Sequence, residues 1–205
     1  MKKFISSVAV FMALSMSLTA KAENRWNVYG GGSISHLCET HASGSDKTYG
    51  WGGGAFLGGG YEINFNSHWS LTPQLELSFV NNGAYTSSKE FSFYHNHSQS
   101  IRSLNINIPV IASFRFPVSD NVGLRFGAGP FFQEAVAGWG YGYESDKRES
   151  LSGTFANRFN LGVVGEAAVE TGSHLSYFFR TNYPFLKEGW VRKTITLSVG
   201  VKYTF

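Results

Sequence analysis

Apolar and polar residues alternate without a break along the end of the chain, Thr194–Phe205. The odd positions carry Ile, Leu, Val, Tyr or Phe, and the even positions carry small or polar residues. This period of two indicates a β-strand with one apolar and one polar face. At about 3.3 Å per residue, a tilted strand of this length is long enough to cross a bilayer.

The same period of two recurs in seven further segments, and helix-period patterning is hard to find anywhere in the chain. Together with the last strand, these segments predict an all-β fold of eight strands. The seven segments are Trp26–Leu37, Tyr49–Phe65, Trp69–Val80, Ile101–Phe116, Val122–Ala137, Phe155–Glu170 and His174–Pro184.

Three of the predicted strands contain a proline in their interior, at Pro73, Pro109 and Pro130. Proline cannot donate a hydrogen bond to a strand ladder, and a closed barrel has no free edge to accommodate it. We therefore expect a β-bulge at each proline. A change of in/out parity is expected after Pro130, because Phe131 and Phe132 cannot both face lipid.

Short turns and long polar segments alternate strictly between the predicted strands. The short turns are Asn64–His68, Pro117–Asn121 and Thr171–His174. The long segments are Cys38–Thr48, Asn81–Ser100, Gly138–Ser152 and Leu186–Lys193. This alternation is typical of a membrane barrel with short periplasmic turns and long extracellular loops. The sequence therefore predicts an eight-stranded antiparallel up-and-down transmembrane β-barrel with both termini on the periplasmic side.

Periodicity alone does not decide which face points inward, because a soluble lipocalin-like barrel alternates equally well. Charges of both signs in the middle of the polar faces favour the membrane arrangement, in which they pair inside the lumen. An eight-stranded barrel is about wide enough for its own side chains, so we expect a paired network instead of a water-filled channel. The predicted network consists of Glu62, Glu76, Glu166, Arg115, Arg125, Arg180 and Lys202.

Aromatic residues near the ends of the predicted strands also favour a membrane barrel, since aromatic girdles lie at bilayer interfaces. One predicted rim contains Trp26, Phe65, Trp69, Phe116 and Phe205. The other predicted rim contains Trp51, Trp139, Tyr141, Tyr143, Tyr183 and Trp190.

Residues 1–22 have the pattern of a cleavable signal peptide. A basic start is followed by the apolar run Phe4–Leu18, and Ala20–Ala22 fits the small-x-small cleavage rule. We therefore expect residues 23–205 to form one outer-membrane barrel domain.

The formal charge of the chain changes when this peptide is removed. The whole chain has 17 Lys and Arg residues against 14 Asp and Glu residues. Loss of Lys2, Lys3 and Lys21 leaves 14 basic and 14 acidic residues. A neutral mature chain gives no reason to expect nucleic acid as a partner. Cys38 is the single cysteine and cannot form an internal disulfide.

Four stretches of the sequence resemble the PorT-like family of outer-membrane β-barrel proteins. They are Leu71–Phe79, Leu104–Val110, Gly123–Phe131 and Gly200–Phe205. The resemblance covers nearly the whole mature chain, and in architecture the chain also resembles the eight-stranded OmpA-type barrel. The resemblance implies a place in the outer membrane of a Gram-negative cell envelope. Its motifs carry no catalytic residues.

Side chains with catalytic chemistry occur mainly near the predicted turns. His174 and Ser176 lie two residues apart, and Ser67 and His68 share another turn. We interpret them as polar turn residues, because nothing nearby orients either histidine, and predict no catalytic residues. The carboxylates of the lumen are interpreted as ion-pair partners and not as an acid–base pair.

Two predicted loops carry side chains that are suitable soft metal ligands. Spacing across two loops is weak evidence for a metal site, so we assign no metal and no cofactor and leave metal binding by this cluster open. The cluster consists of His36, Cys38, His41, His95 and His97.

The prediction is therefore a non-enzymatic, monomeric integral protein of the outer membrane, with the lipid bilayer as its partner. It acts as a structural barrel or presents extracellular loops for binding. Three alternatives stay open: an outer-membrane enzyme, a narrow pore left by the glycine-rich inner faces, and a soluble lipid-binding barrel. The sequence identifies no ligand and no protein partner.

Overall fold

The computed structural model describes residues 24–37, 47–49, 51–87, 96–142, 145–150, 159–172, 174–185 and 194–205. No helix in this part of the chain is long and apolar enough to cross a membrane. The regular elements are β1 (Arg25–Leu37), β2 (Lys47–Tyr49), β3 (Trp51–Asn64), β4 (Trp69–Ser87), β5 (Asn96–Ser119), β6 (Val122–Gly142), β7 (Ser145–Ser150), β8 (Phe159–Thr171), β9 (Leu175–Pro184) and β10 (Thr194–Thr204).

Eight long strands close into an antiparallel barrel, which confirms the predicted fold class. Its neighbours follow chain order, β1, β3, β4, β5, β6, β8, β9 and β10, and β10 pairs back to β1. The short strands β2 and β7 attach to β4 and β6. The backbone N–H of Phe205 donates to the carbonyl of Trp26, so both ends of the barrel wall meet at the short-turn end.

The strand register shows how strongly the barrel is staggered. When the β4–β5 and β9–β10 registers are extended across their unpaired positions, a row of opposing residues starts at Thr204, runs once around the wall and returns to β10 at Thr194, ten residues away. Strands with this stagger tilt steeply, by about 35–45°, and eight of them enclose a bore that side chains fill. The row passes through Asn27, Gly60, Gln74, Pro109, Phe131, Gly162 and Pro184.

The two faces of the strands are oriented as the alternation predicts. In β10, Val199 and Val201 are exposed on the outer surface, whereas Ser198 and Lys202 are buried in the lumen. The apolar face therefore points outward, the reverse of a soluble barrel. The first predicted aromatic rim is confirmed, because each of its members is at least 50% exposed: Trp26, Phe65, Trp69, Phe116 and Phe205.

The second predicted aromatic rim is only partly described. Trp51 and Tyr183 are exposed on the outer surface, towards the ends of β3 and β9 that lie away from the short turns. The remaining side chains of this rim lie outside the part that the structure describes: Trp139, Tyr141, Tyr143 and Trp190.

The expectation of a bulge at each interior proline is wrong. The β4–β5 register is the same on both sides of the unpaired positions after Pro73, and the β6–β8 register runs through Pro130 without a shift. On its other side, Pro130 has no pair in the β5–β6 ladder, which is interrupted between Pro109 and Ala112 without a change of register. The barrel thus tolerates the missing N–H groups by omitting ladder pairs, not by inserting a residue. Parity also continues past Pro130, so Phe131 is buried in the lumen and Phe132 lies on the other face.

Irregular pairing does occur elsewhere, between β5 and β6. One register shift separates Leu104 from Asn105, and another lies between Pro117 and Ser119. Opposite the first shift, β6 contains one extra residue, Val136, between the paired Ala135 and Ala137. This bulge lies towards the end of the β5–β6 hairpin that is away from the short turn, and no proline stands at that position in the sequence.

Three of the long segments predicted as loops contain strand instead, and β2 begins within the first of them, Cys38–Thr48. Within Asn81–Ser100, β4 and β5 stay paired as far as Ser87 and Asn96, and within Gly138–Ser152, β6 pairs with β7. Backbone pairing continues beyond the apolar alternation, because a hairpin that has left the apolar belt needs no apolar face. Residues 38–46 of the first segment and the whole of the fourth, 186–193, lie outside the described residues.

Aromatic rings occupy the space that glycines leave inside the barrel. Tyr29 and Phe178 are buried in the lumen with their ring centres 5.9 Å apart, edge to face. A Cβ atom on Gly58 would lie 2.5 Å from Cζ of Tyr29, and one on Gly200 would lie 2.6 Å from Cζ of Phe178. Gly58 and Gly200 on the inner face therefore seat these two rings.

Replacement of Gly58 by Ala should destabilise the barrel. Its new methyl group would meet Tyr29 at 2.5 Å and the backbone oxygen of Leu75 at 2.8 Å, so the wall itself would have to move. Overpacking of this kind costs about 1–3 kcal/mol in free energy of unfolding. Urea unfolding of the detergent-folded barrel, followed by its heat-dependent gel mobility, measures the loss.

The matched control is Gly53→Ala in the same strand. A Cβ atom on Gly53 would meet nothing within 4 Å, and the backbone there has no positive φ. Its stability should be unchanged or slightly raised, by about 0.4–1 kcal/mol. Equal losses in the two variants would contradict the seating of Tyr29 on Gly58.

Candidate functional site

Four charged side chains form a group next to the short turns, which we call the turn-end cluster: Glu62, Glu170, Arg115 and Arg125. Nη2 of Arg125 lies 2.7 Å from Glu62, and its Nε lies 2.8 Å from Glu170. Nε of Arg115 lies 2.6 Å from Glu170. With two cations and two anions, the cluster is formally neutral.

Register explains why the turn-end cluster needs two carboxylates. Arg115 and Arg125 are direct partners in the β5–β6 ladder, and like charges in that position repel each other. Glu62 from β3 and Glu170 from β8 each lie within ion-pair distance of both guanidinium groups. The two carboxylates therefore bridge Arg115 and Arg125, whose positive charges would repel each other in the β5–β6 hairpin alone.

A second group, which we call the mid-lumen cluster, lies in the middle of the strands and consists of Glu76, Glu166, Arg180 and Lys202. Arg180 donates to Glu76 at 2.8 Å and, through Nε and Nη2, to one oxygen of Glu166 at 2.9 and 2.6 Å. Lys202 donates to the other oxygen of Glu166 at 2.7 Å. This cluster is also formally neutral, and its members are buried.

Neutral groups complete the surroundings of Arg180. Gln74 accepts a hydrogen bond from its Nη2 at 2.9 Å. The rings of Tyr29 and Phe178 each lie with their centre 4.9 Å from its Cζ, a cation–π arrangement. Asn107 donates to the other side of Glu76, at 2.8 Å. The guanidinium is therefore held by charge, hydrogen bonds and aromatic faces together.

Little free space lies beside the mid-lumen cluster. A cavity lined by Glu76, Ser78, Asn107 and the ring of Phe131 has a volume of about 20 Å³. That is room for roughly one water molecule. Isolated buried charges would cost several kcal/mol each in such surroundings, whereas here each charged group faces its opposite.

The structure confirms the pairing expected for the lumen. All seven residues predicted for the network belong to the two clusters. Glu170 is the member that sequence reasoning missed, although its parity on β8 places it on the polar face. The missing information was the register of β5 against β6, which puts two arginines opposite each other and so requires another carboxylate.

The side chains considered as nucleophile and base make contacts with the backbone, with an aromatic ring or within a turn. Nδ1 of His174 lies 2.8 Å from the carbonyl oxygen of Thr204, and its ring stacks on Tyr203. Ser176 is buried beside it, and both line one cavity at the short-turn end, without a hydrogen bond between them in the described structure. The hydroxyl of Ser67 lies 2.9 Å from Nδ1 of His68 in an exposed turn.

The predicted cluster of soft ligands lies mostly outside the described residues. Only His36 has a described side chain, and its ring packs against Trp51 with the centres 4.8 Å apart. Cys38, His41 and His95 are not described, and only the backbone of His97 is, in β5. Within the described part of the chain, no group of three His, Cys, Asp or Glu residues could hold a metal ion.

Comparison with known proteins gives a clear family match. Residues 14–188 match the family described as outer membrane protein beta-barrel domain. This span contains every strand of the barrel except β10. A search of curated proteins finds no match to the sequence.

Solved structures of outer-membrane barrels share this fold. OprG from Pseudomonas aeruginosa is 12% identical, with a TM-score of 0.52 over 89% of this chain and 96% of OprG. Neisserial surface protein A is 12% identical, with a TM-score of 0.50 over 90% of this chain and 100% of its own. Ail of Yersinia pestis is 17% identical, with a TM-score of 0.45 over 90% and 100% of the two chains. At these identities the first two support the fold alone.

Replacement of Glu76 by Ala should destabilise the barrel strongly. The mid-lumen cluster would keep two cations against one carboxylate, in surroundings with room for roughly one water. Removing one partner of a buried ion pair costs about 3–5 kcal/mol. Equilibrium unfolding in urea, on protein folded into lipid vesicles, measures the change.

Glu134→Ala is the matched control for this substitution. Glu134 is half-buried, and its ladder partners are the apolar Ile106 and Phe159 on the outer face. Because a carboxylate on the lipid-facing side of a barrel is mildly unfavourable, its loss should leave the free energy of unfolding unchanged or raise it by about 0–1 kcal/mol. If both variants unfold alike, the lumen is hydrated enough to screen its charges.

Proposed function

Because the chain belongs to the outer membrane protein beta-barrel domain family, we propose that it is a non-enzymatic barrel of the outer membrane with a plugged lumen. Its location in the outer membrane follows from the family. The observation that carries the proposal is the mid-lumen cluster, in which two cations and two carboxylates meet across the bore. Function then belongs to the ends of the barrel.

Contacts of Arg180 and Phe178 across the lumen support a plug in place of a pore. Arg180 reaches Glu76 from the other side of the lumen, a pair separated by 104 residues in sequence. Phe178 fills the space over Gly200 and faces both Arg180 and Lys202. An ion would have to displace these paired charges from their partners, at several kcal/mol each.

The use of the ionisable groups supports a non-enzymatic role. The buried carboxylates Glu62, Glu76 and Glu166 each contact at least one cation at 2.8 Å or less. They are thus unavailable as a general acid or base. Nδ1 of His174 faces the backbone carbonyl of Thr204, so this imidazole has a structural contact at the end of the last strand.

The end of the barrel opposite the short turns supports a role in presenting a binding surface. There β4, β5 and β6 continue beyond the apolar alternation, and β2 and β7 widen the sheet on either side. A paired backbone holds such a surface in one arrangement, which lowers the entropy lost when a partner binds. We assign this end to the extracellular side and the short turns to the periplasm.

Residues 1–22 complete the proposal as a signal peptide that is removed on export. Within the family, we assign the chain to the PorT-like proteins, on the four sequence stretches that carry the resemblance. We further propose that the barrel is a monomer, because its strands close on themselves and leave no free ladder edge in the wall.

The wild-type barrel should show no large, stable conductance in single-channel recordings. The double variant Phe178→Ala, Arg180→Ala removes one ring and the guanidinium that joins both carboxylates, so it should open measurable current. Phe179→Ala is the control, because this neighbouring ring is 48% exposed on the outer face. A large open conductance in the wild type would replace the plug with the narrow-pore alternative.

An epitope inserted between Ser87 and Asn96 should be reached by antibody on intact cells. The same epitope inserted at Asp120–Asn121, in a short turn, should be reached only after the outer membrane is opened. These two positions lie at opposite ends of β5, so they report sidedness on one strand. Labelling of the short turn on intact cells would reverse the assignment.

A further inference from the structure

A polar cavity of about 260 Å³ opens at the short-turn end of the barrel. Arg115 and Glu170 of the turn-end cluster line it, with the turn residue Asp120 and with His174 beside the start of β9. Neither the plug nor the loop-end surface uses this cavity. Its volume lies just below the roughly 300–1,000 Å³ of drug-sized ligand sites, so it suits a small molecule.

Arg115 offers this cavity an unused part of its guanidinium. Its Nε and Nη2 lie 2.6 and 3.1 Å from Glu170, and Nη2 lies 3.7 Å from Glu62. Nη1 has no hydrogen-bond partner among the described residues, and the side chain is 36% exposed. A guanidinium with one edge paired and the other open can bind a second oxyanion in a fork.

The charge at this end of the lumen also favours an anion. The guanidinium groups of Arg115 and Arg125 contact Glu62 and Glu170, and Arg25, the ladder partner of Glu62, lines the same cavity. These five groups carry a surplus of one positive charge, which the exposed Asp120 in the same lining formally offsets. By contrast, the mid-lumen cluster is balanced and closed.

The wall of the cavity supplies polar groups as well. Because the carbonyl of Thr204 can only accept, Nδ1 of His174 carries the proton that it donates there. Ser176 adds a hydroxyl to the lining. Asp120 is the opposing feature, since this exposed carboxylate lies at the entrance and repels anions.

We propose that this cavity is a binding site for a small soluble oxyanion, a molecule bearing one carboxylate or phosphate group. Arg115 holds the oxyanion through Nη1 while it remains paired with Glu170. Asp120 weakens the binding from the entrance. The site does not depend on the plug or on which side of the membrane the turns face, so it can fail while the proposed function stands.

Titration of the detergent-folded barrel with inorganic phosphate, followed by ³¹P NMR at constant ionic strength, tests the site. Displacement of the bound phosphate by acetate, which has a single carboxylate, is the carboxylate probe. Binding should be saturable, and Arg115→Gln should weaken it about tenfold, because the variant loses the charge-assisted hydrogen bond that Nη1 donates. Absence of saturation, or unchanged affinity in a folded Arg115→Gln barrel, would overturn the proposal.

Asp120→Asn keeps the test decisive if Arg115→Gln does not fold. This exposed turn residue lies outside the ion pairs of the lumen, and its neutralisation should tighten binding by about two- to fivefold. Unchanged or weaker binding would count against the site. The titration is then repeated in nanodiscs with and without phosphatidylglycerol, to distinguish a soluble oxyanion from a lipid headgroup. If phosphate binds only in the nanodiscs without this anionic lipid, the cavity binds the headgroup and the soluble-ligand proposal is overturned.

Discussion

Arg180 holds the interior of this barrel together. Its guanidinium pairs with carboxylates from β4 and β8, lies against the faces of two aromatic rings and donates a hydrogen bond to Gln74. A charge in that position is stable only if the surrounding wall brings all these partners to it at once. The glycines of β3 and β10 make the arrangement possible, because they leave room for Tyr29 and Phe178 beside the charge. Packing and electrostatics in the lumen are therefore a single constraint.

The two clusters divide the lumen by chemistry. The mid-lumen cluster is balanced, surrounded by rings and nearly without free space. The turn-end cluster also has two cations and two carboxylates, but Arg25 is the ladder partner of Glu62, and a polar cavity opens at the short-turn end of the barrel. Ion pairs of the same charge types are thus packed with little free space at one level and lie beside a polar cavity at the next.

Sequence patterning predicted the barrel well because a bilayer imposes one rule on every strand. Val199 and Lys202 face opposite sides as the period of two requires, and the aromatic rim around Trp26 and Phe205 follows the same logic. The prediction failed where that rule stops acting. Above the apolar belt, β4 and β5 stay paired as far as Ser87 and Asn96 without an alternating pattern. The omitted ladder pairs near Pro73 and the role of Glu170 depend on the register between neighbouring strands. The periodicity of a single strand contains no information about that register.

The opposition of Arg115 and Arg125 has a consequence for the order of assembly. The β5–β6 hairpin is local in sequence, yet on its own it would carry two facing cations into an apolar environment. Relief comes from Glu170 on the next long strand and from Glu62, 63 residues away from Arg125 on β3. The hairpin therefore gains little by inserting ahead of its neighbours. Strand insertion and closure of the circle should occur as one concerted event, with half-assembled sheets kept scarce by their unpaired charge.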